Sequence, residues 1–183
     1  MGSKVASPPG SDSRRAATMT RLFAELQIAR FNELYYQRRS AFFKKWAKRA
    51  NIVSALAASI VLAKMLTAQD GMFFGFGPVL WQAITGLAAL SAAIGPVLGL
   101  GDKAAQMEKA ALGHAIVKDR IRRLLNDLKV SEIDASHLGR DSEIEAMRSA
   151  LAPLDEPPVD TLREECWEMT LQEYPSEGAW SLI

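Results

Sequence analysis

The chain has 183 residues, 22 basic and 21 acidic side chains, a net charge of +1 and a mean hydropathy of −0.01, room for one or two small domains. One cysteine, Cys166, and two histidines, His114 and His137, exclude a disulfide-stapled scaffold and leave no His-Glu-x-x-His or Cys-x-x-Cys metal spacing. The average hides an uneven distribution: the net charge is +8 over residues 1–49, zero over 50–101, +3 over 102–129 and −10 over 130–183.

Residues 1–18, rich in Ser, Pro, Gly, Ala and Arg, read as a disordered polar leader. Met1-Gly2 opens like a myristoylation site, but Ala6 stands where Ser or Thr is required. The Arg14-Arg15 pair has no hydrophobic run close enough for twin-arginine export. Residues 19–49 are predicted to form a basic helix. Its end interleaves Phe42, Phe43 and Trp46 with Lys44, Lys45, Lys48 and Arg49. Next to a hydrophobic segment, that mixture suits anionic headgroups of a lipid bilayer, and no nucleic-acid partner is expected.

Residues 50–69 and 78–101 are each long enough to cross a hydrocarbon layer of about 30 Å, which takes about 20 helical residues. No charged side chain lies between 71 and 101, and Lys64 falls near enough to the end of the first segment to reach the headgroups. Pro78 suits a first helical position and Trp81 an interfacial depth. Residues 70–77, with Phe73, Phe74 and Phe76, make an external turn. The predicted fold is therefore an all-α membrane protein: a two-helix transmembrane hairpin flanked by cytoplasmic helices packed as an antiparallel, coiled-coil-like bundle. Basic residues before the first span and Lys103 and Lys109 after the second place both termini on the cytoplasmic side of a multi-pass cell-membrane protein. A soluble four-helix bundle is the competing reading, but its interior is small for two helices that are apolar on every face. Small residues at helical spacing, Ser54 and Ala58 on the first span and Ser91, Gly95 and Gly99 on the second, mark close packing within one hairpin or between hairpins of a homo-oligomer.

Over residues 102–130, Met107, Ala110, His114, Val117, Ile121, Leu124 and Leu128 step by three and four, which predicts an apolar heptad seam facing the helix of residues 18–49. His114 in that seam reads as a hydrogen-bonded core histidine. Residues 131–175 form an acidic helical region and 176–183 a tail. Ser142-Glu143-Ile144-Glu145 fits a capping box, with Ile144, Met147, Leu151 and Leu154 as a stripe. Glu156-Pro157-Pro158 breaks the chain. A helical face of Val159, Leu162, Cys166 and Met169 or Thr170 then runs to about Tyr174, placing the thiol inside. The acidic region is expected to fold against basic helices of its own or a neighbouring subunit.

Arg38, Arg39 and Trp46 before the first span, Gly101-Asp102-Lys103-Ala104-Ala105 after the second, and a closing Glu156-Pro157-Pro158-Val159 followed by Cys166 give the chain an order of parts that resembles the SLATT family. Asp160 stands where that family's pattern has a tyrosine, and Trp167-Glu168 where it has Asn-Glu. The resemblance implies a two-transmembrane effector of the bacterial inner membrane that oligomerises and permeabilises it in anti-phage conflict. Its trigger in trans would be a nucleotide-second-messenger synthase or a sensor protein. The alternative is a non-pore membrane adaptor recruiting a soluble partner through its cytoplasmic helices. Neither reading needs a catalytic residue, cofactor or metal.

Overall fold

The computed structural model describes residues 11–66, 98–130, 135–151 and 157–175, with six further positions between 82 and 90. Among the described residues four helices are bounded and no strand occurs: α1 Ser11–Leu66, α2 Leu100–Val130, α3 Ala135–Ala150 and α4 Asp160–Glu173. Helix α1 is 56 residues long because neither glycine nor proline interrupts it. It begins at Ser11, inside the polar leader. One stripe of it, Met19, Leu22, Leu26, Ala29, Glu33, Tyr36, Ser40 and Phe43, steps by three and four, and all but the half-exposed Tyr36 are buried. The chain divides into two compact units, Met1–Gln37 with Lys109–Ile183, and Arg38–Glu108.

In the first unit, Met19, Leu22, Leu26 and Ala29 of α1 form one core with Val117, Ile121, Leu124, Leu125 and Leu128 of α2 and Ile144 of α3. Helices α1 and α2 run antiparallel here, since Arg15 donates to the Lys129 carbonyl at 2.7 Å and Glu33 pairs with Lys118 at 2.8 Å. Gly113 of α2 leaves the space that Leu151 fills, and a Cβ there would collide with the leucine's Cδ2. Helix α4 buries Cys166 and Thr170 completely, and the Thr170 hydroxyl donates to the Cys166 carbonyl at 2.8 Å. That internal bond lets a polar side chain enter the core with its hydrogen bonding satisfied. The fourth position of the expected α4 face is thus Thr170, while Met169 points outward. Ser142 is not a cap: α3 begins at Ala135, and the Ser142 hydroxyl donates back to the Gly139 carbonyl at 2.7 Å within the helix.

In the second unit, Ser40 donates to the Ala104 carbonyl at 3.1 Å, and Lys44 pairs with Glu108 at 2.7 Å. Phe43 is buried there beneath two cations, with the Arg39 guanidinium 5.2 Å and the Lys103 ammonium 5.9 Å from its ring centre. Gly99 turns the chain into α2 at φ +56°, a left-handed backbone that glycine adopts without steric cost. Its carbonyl accepts the Lys103 amide at 2.9 Å.

The expected transmembrane hairpin is overturned. Among the described residues no helix is long and apolar enough to cross a membrane. The first expected span is the end of α1, where Arg49 and Lys64 bracket 14 uncharged residues, about 21 Å of helix against the roughly 30 Å of a hydrocarbon layer. An apolar run of that length is the size of a core or interaction helix. The second expected span lies largely outside the described residues. Of its described positions, Gln82, Ala83, Thr85, Gly86, Ala89 and Leu90 are helical, Gly99 belongs to a turn, and Leu100 opens α2. The architecture is therefore all-α as expected, whereas the two-pass membrane protein, its pore and its inner-membrane placement are not supported. The turn expected at 70–77 lies outside the described residues.

Candidate interaction surface

From Phe42 onward, α1 carries large apolar side chains that are exposed among the described residues. Phe42, Trp46, Ile52, Val53, Leu56, Ile60 and Leu62 are all exposed, Leu56 by 61% and Leu62 by 60%. A run of large exposed apolar side chains on one element marks an interaction site. Its hydroxyls do not hinder burial: Ser54 donates to the Ala50 carbonyl and Ser59 to the Ala55 carbonyl, each at 2.8 Å. Ala58 is exposed between them. Ser54 and Ala58 fall on the side of α1 away from Ile52, Leu56 and Ile60, Gly99 serves a turn, and Ser91, Gly95 and Trp81 fall outside the described residues.

The residues expected as headgroup anchors separate into three groups. Phe43 is core, and Lys44 is tied to Glu108. Phe42 and Trp46 lie 6.1 Å apart on the exposed side, with the Arg49 guanidinium 5.4 Å from the Trp46 ring. Lys45 and Lys48 are exposed and make no ion pair among the described residues.

A charged cluster that the sequence reading missed lies in the first unit. Glu33 is 6% exposed and accepts from Arg30 at 2.9 Å and Lys118 at 2.8 Å, with Gln37 at 3.4 Å. Burial alone would raise its carboxyl, but the hydrogen bonds and charges of Lys118 and Arg30 outweigh burial and hold it below the usual carboxylate range. Arg30 also pairs with Glu173 of α4 at 2.8 Å. His114 stacks on Tyr36, with ring centres 5.5 Å apart and planes 6° from parallel. Burial pushes its imidazole below the ordinary value, partly opposed by the Glu33 charge. The signal was present in the sequence, because Glu33 and Tyr36 occupy heptad positions of α1.

Among the described residues no three His, Cys, Asp or Glu side chains converge on a metal position, and the Cys166 thiol is buried in the core. Compared with known proteins, the chain matches no family model, and no curated protein or solved structure is significantly similar to it.

Proposed function

We propose that this chain is a non-catalytic effector that acts by assembling copies of itself, using the uncovered apolar stretch of α1 from Ile52 to Leu62. The observation supporting this is the exposure of Ile52, Val53, Leu56, Ile60 and Leu62 on a helix whose serine hydroxyls are already satisfied. Covering each of these half-exposed side chains contributes roughly 1 kcal/mol, so two such helices meeting face to face gain several. The resemblance to assembling effectors agrees with this use of the surface, and the trigger would be a partner protein or a nucleotide signal made in trans. Sedimentation velocity at 1 M sodium chloride tests the proposal: the wild-type chain should associate with rising concentration, and Leu56→Glu should sediment as a monomer with unchanged helical content. A Leu56→Glu chain that associates like the wild type would sink this reading.

A further inference from the structure

We infer that a second copy of this chain docks its basic, aromatic segment around Trp46 into the acidic groove between α1 and α4 of the first unit. The inference rests on the assembly reading above and adds a second, head-to-tail contact to it. The groove is an open depression of about 550 Å³, with Ile28, Phe31 and Trp167 as its apolar floor and Asn32, Asp160, Glu164 and one cation, Arg163, on its rim. Phe31 and Trp167 meet edge to face, with centres 5.8 Å apart, so the floor is held from both helices while Ile28 stays 48% and Trp167 39% exposed.

The acids on that side are ordered. Asp160, Glu164 and Glu168 are spaced by four along α4, with Trp167 beside them, so they line one outward face in steps of about 6 Å. Asp160 has only a 4.0 Å contact with Arg163, and Glu164 and Glu168 make no ion pair among the described residues. What such a groove fits is a helix with an aromatic anchor and cations one turn apart. The chain carries one: Trp46 is 47% exposed, Arg49 lies against its ring, and Lys45 and Arg49, spaced by four, lie one turn apart on the same side of α1. Charge complementarity therefore selects the occupant, with the uncompensated cations of one copy meeting the uncompensated acids of another. Because the two surfaces differ, the contact is heterologous, and copies can keep adding until a ring closes.

Charge reversal tests the docking. Glu164→Lys with Glu168→Lys, and separately Lys45→Glu with Arg49→Glu, should each weaken association by about tenfold or more while circular dichroism shows the folded helical content. Mixing the two variants should restore association, since the reversed α4 of one then faces the reversed α1 of the other. Association of either variant at wild-type strength overturns the inference. Loss without rescue on mixing also overturns it. Leu56→Glu separates the two readings: if it becomes monomeric while charge reversal changes nothing, the apolar assembly stands and the head-to-tail contact falls. A wild-type chain that never associates overturns both.

Discussion

Glu33 is the side chain on which most of the first unit's polar chemistry converges. Two cations depend on it, and their side chains are only 14% (Lys118) and 21% (Arg30) exposed. Glu33→Gln leaves both under-compensated and should cost about 2–3 kcal/mol in urea unfolding. Lys118→Met should cost less, because Glu33 keeps Arg30. Acid should act through the same group. A carboxyl whose folded pKa is depressed contributes stability that is complete above its unfolded value of about 4.3 and disappears as the pH falls through the folded value. His114 adds a loss at higher pH. Its folded imidazole resists protonation, so the unfolded chain binds the proton first and stability falls as the pH drops below about 6.5. His114→Gln should flatten that part of the stability profile and leave the Glu33 part in place. At Gly113 the balance is between helix propensity, which favours alanine by about 1 kcal/mol, and the collision of a Cβ with Leu151. Gly113→Ala should therefore destabilise the native chain yet stabilise a Leu151→Ala chain, a change of sign that a double-mutant cycle reads directly.

The helices differed in how legible they were. The seam of α2 stood out because Val117, Ile121, Leu124 and Leu128 are all aliphatic, and each is buried. The matching seam of α1 was hidden because Glu33, Tyr36 and Ser40 hold three of its positions. A reading that looks for apolar residues passes over a carboxylate whose partners, Lys118 and Arg30, only the fold brings together. The end of α1 was misjudged for a different reason. Counting 50–69 as one length ignores that Lys64 leaves 14 uncharged residues, and such a run signals an uncovered helix face as readily as a lipid-facing one. In α3, Ser142 has the sequence of a cap, but its hydroxyl bonds back to Gly139 inside an established helix. The contact surface is half legible, since the sequence marks out Phe42, Trp46, Lys45 and Arg49 by their composition, while the groove they complement requires α4 to lie on Phe31. If α2 holds the first unit's core, Ile121→Ala should cost about 2–5 kcal/mol in chemical denaturation, whereas Leu112→Ala, at a position 63% exposed, should stay within about 0.5 kcal/mol.

At the scale of the whole molecule, a net charge of +1 conceals a basic N-terminal stretch and an acidic C-terminal one, and their separation makes two kinds of association physically distinct. Contact through Ile52, Val53 and Leu56 removes apolar surface from water and persists or strengthens as salt is added. Contact of Lys45 and Arg49 with Asp160, Glu164 and Glu168 acts between exposed charges, whose range shrinks from about 10 Å at 0.1 M salt to about 3 Å at 1 M. Two interfaces with opposite salt responses give the assembly two stages. At low ionic strength, sedimentation velocity should show species larger than the dimer. At 1 M sodium chloride the larger species should vanish while the apolar dimer remains, and the Lys45→Glu, Arg49→Glu variant should already behave at low salt as the wild type does at high salt. Leu56→Glu should show the reverse, keeping a weak, salt-sensitive self-association and losing the salt-resistant dimer. A wild-type assembly that responds to salt in a single step would mean that one interface serves both purposes, and the separation of charge along the chain would then have no part in building the oligomer.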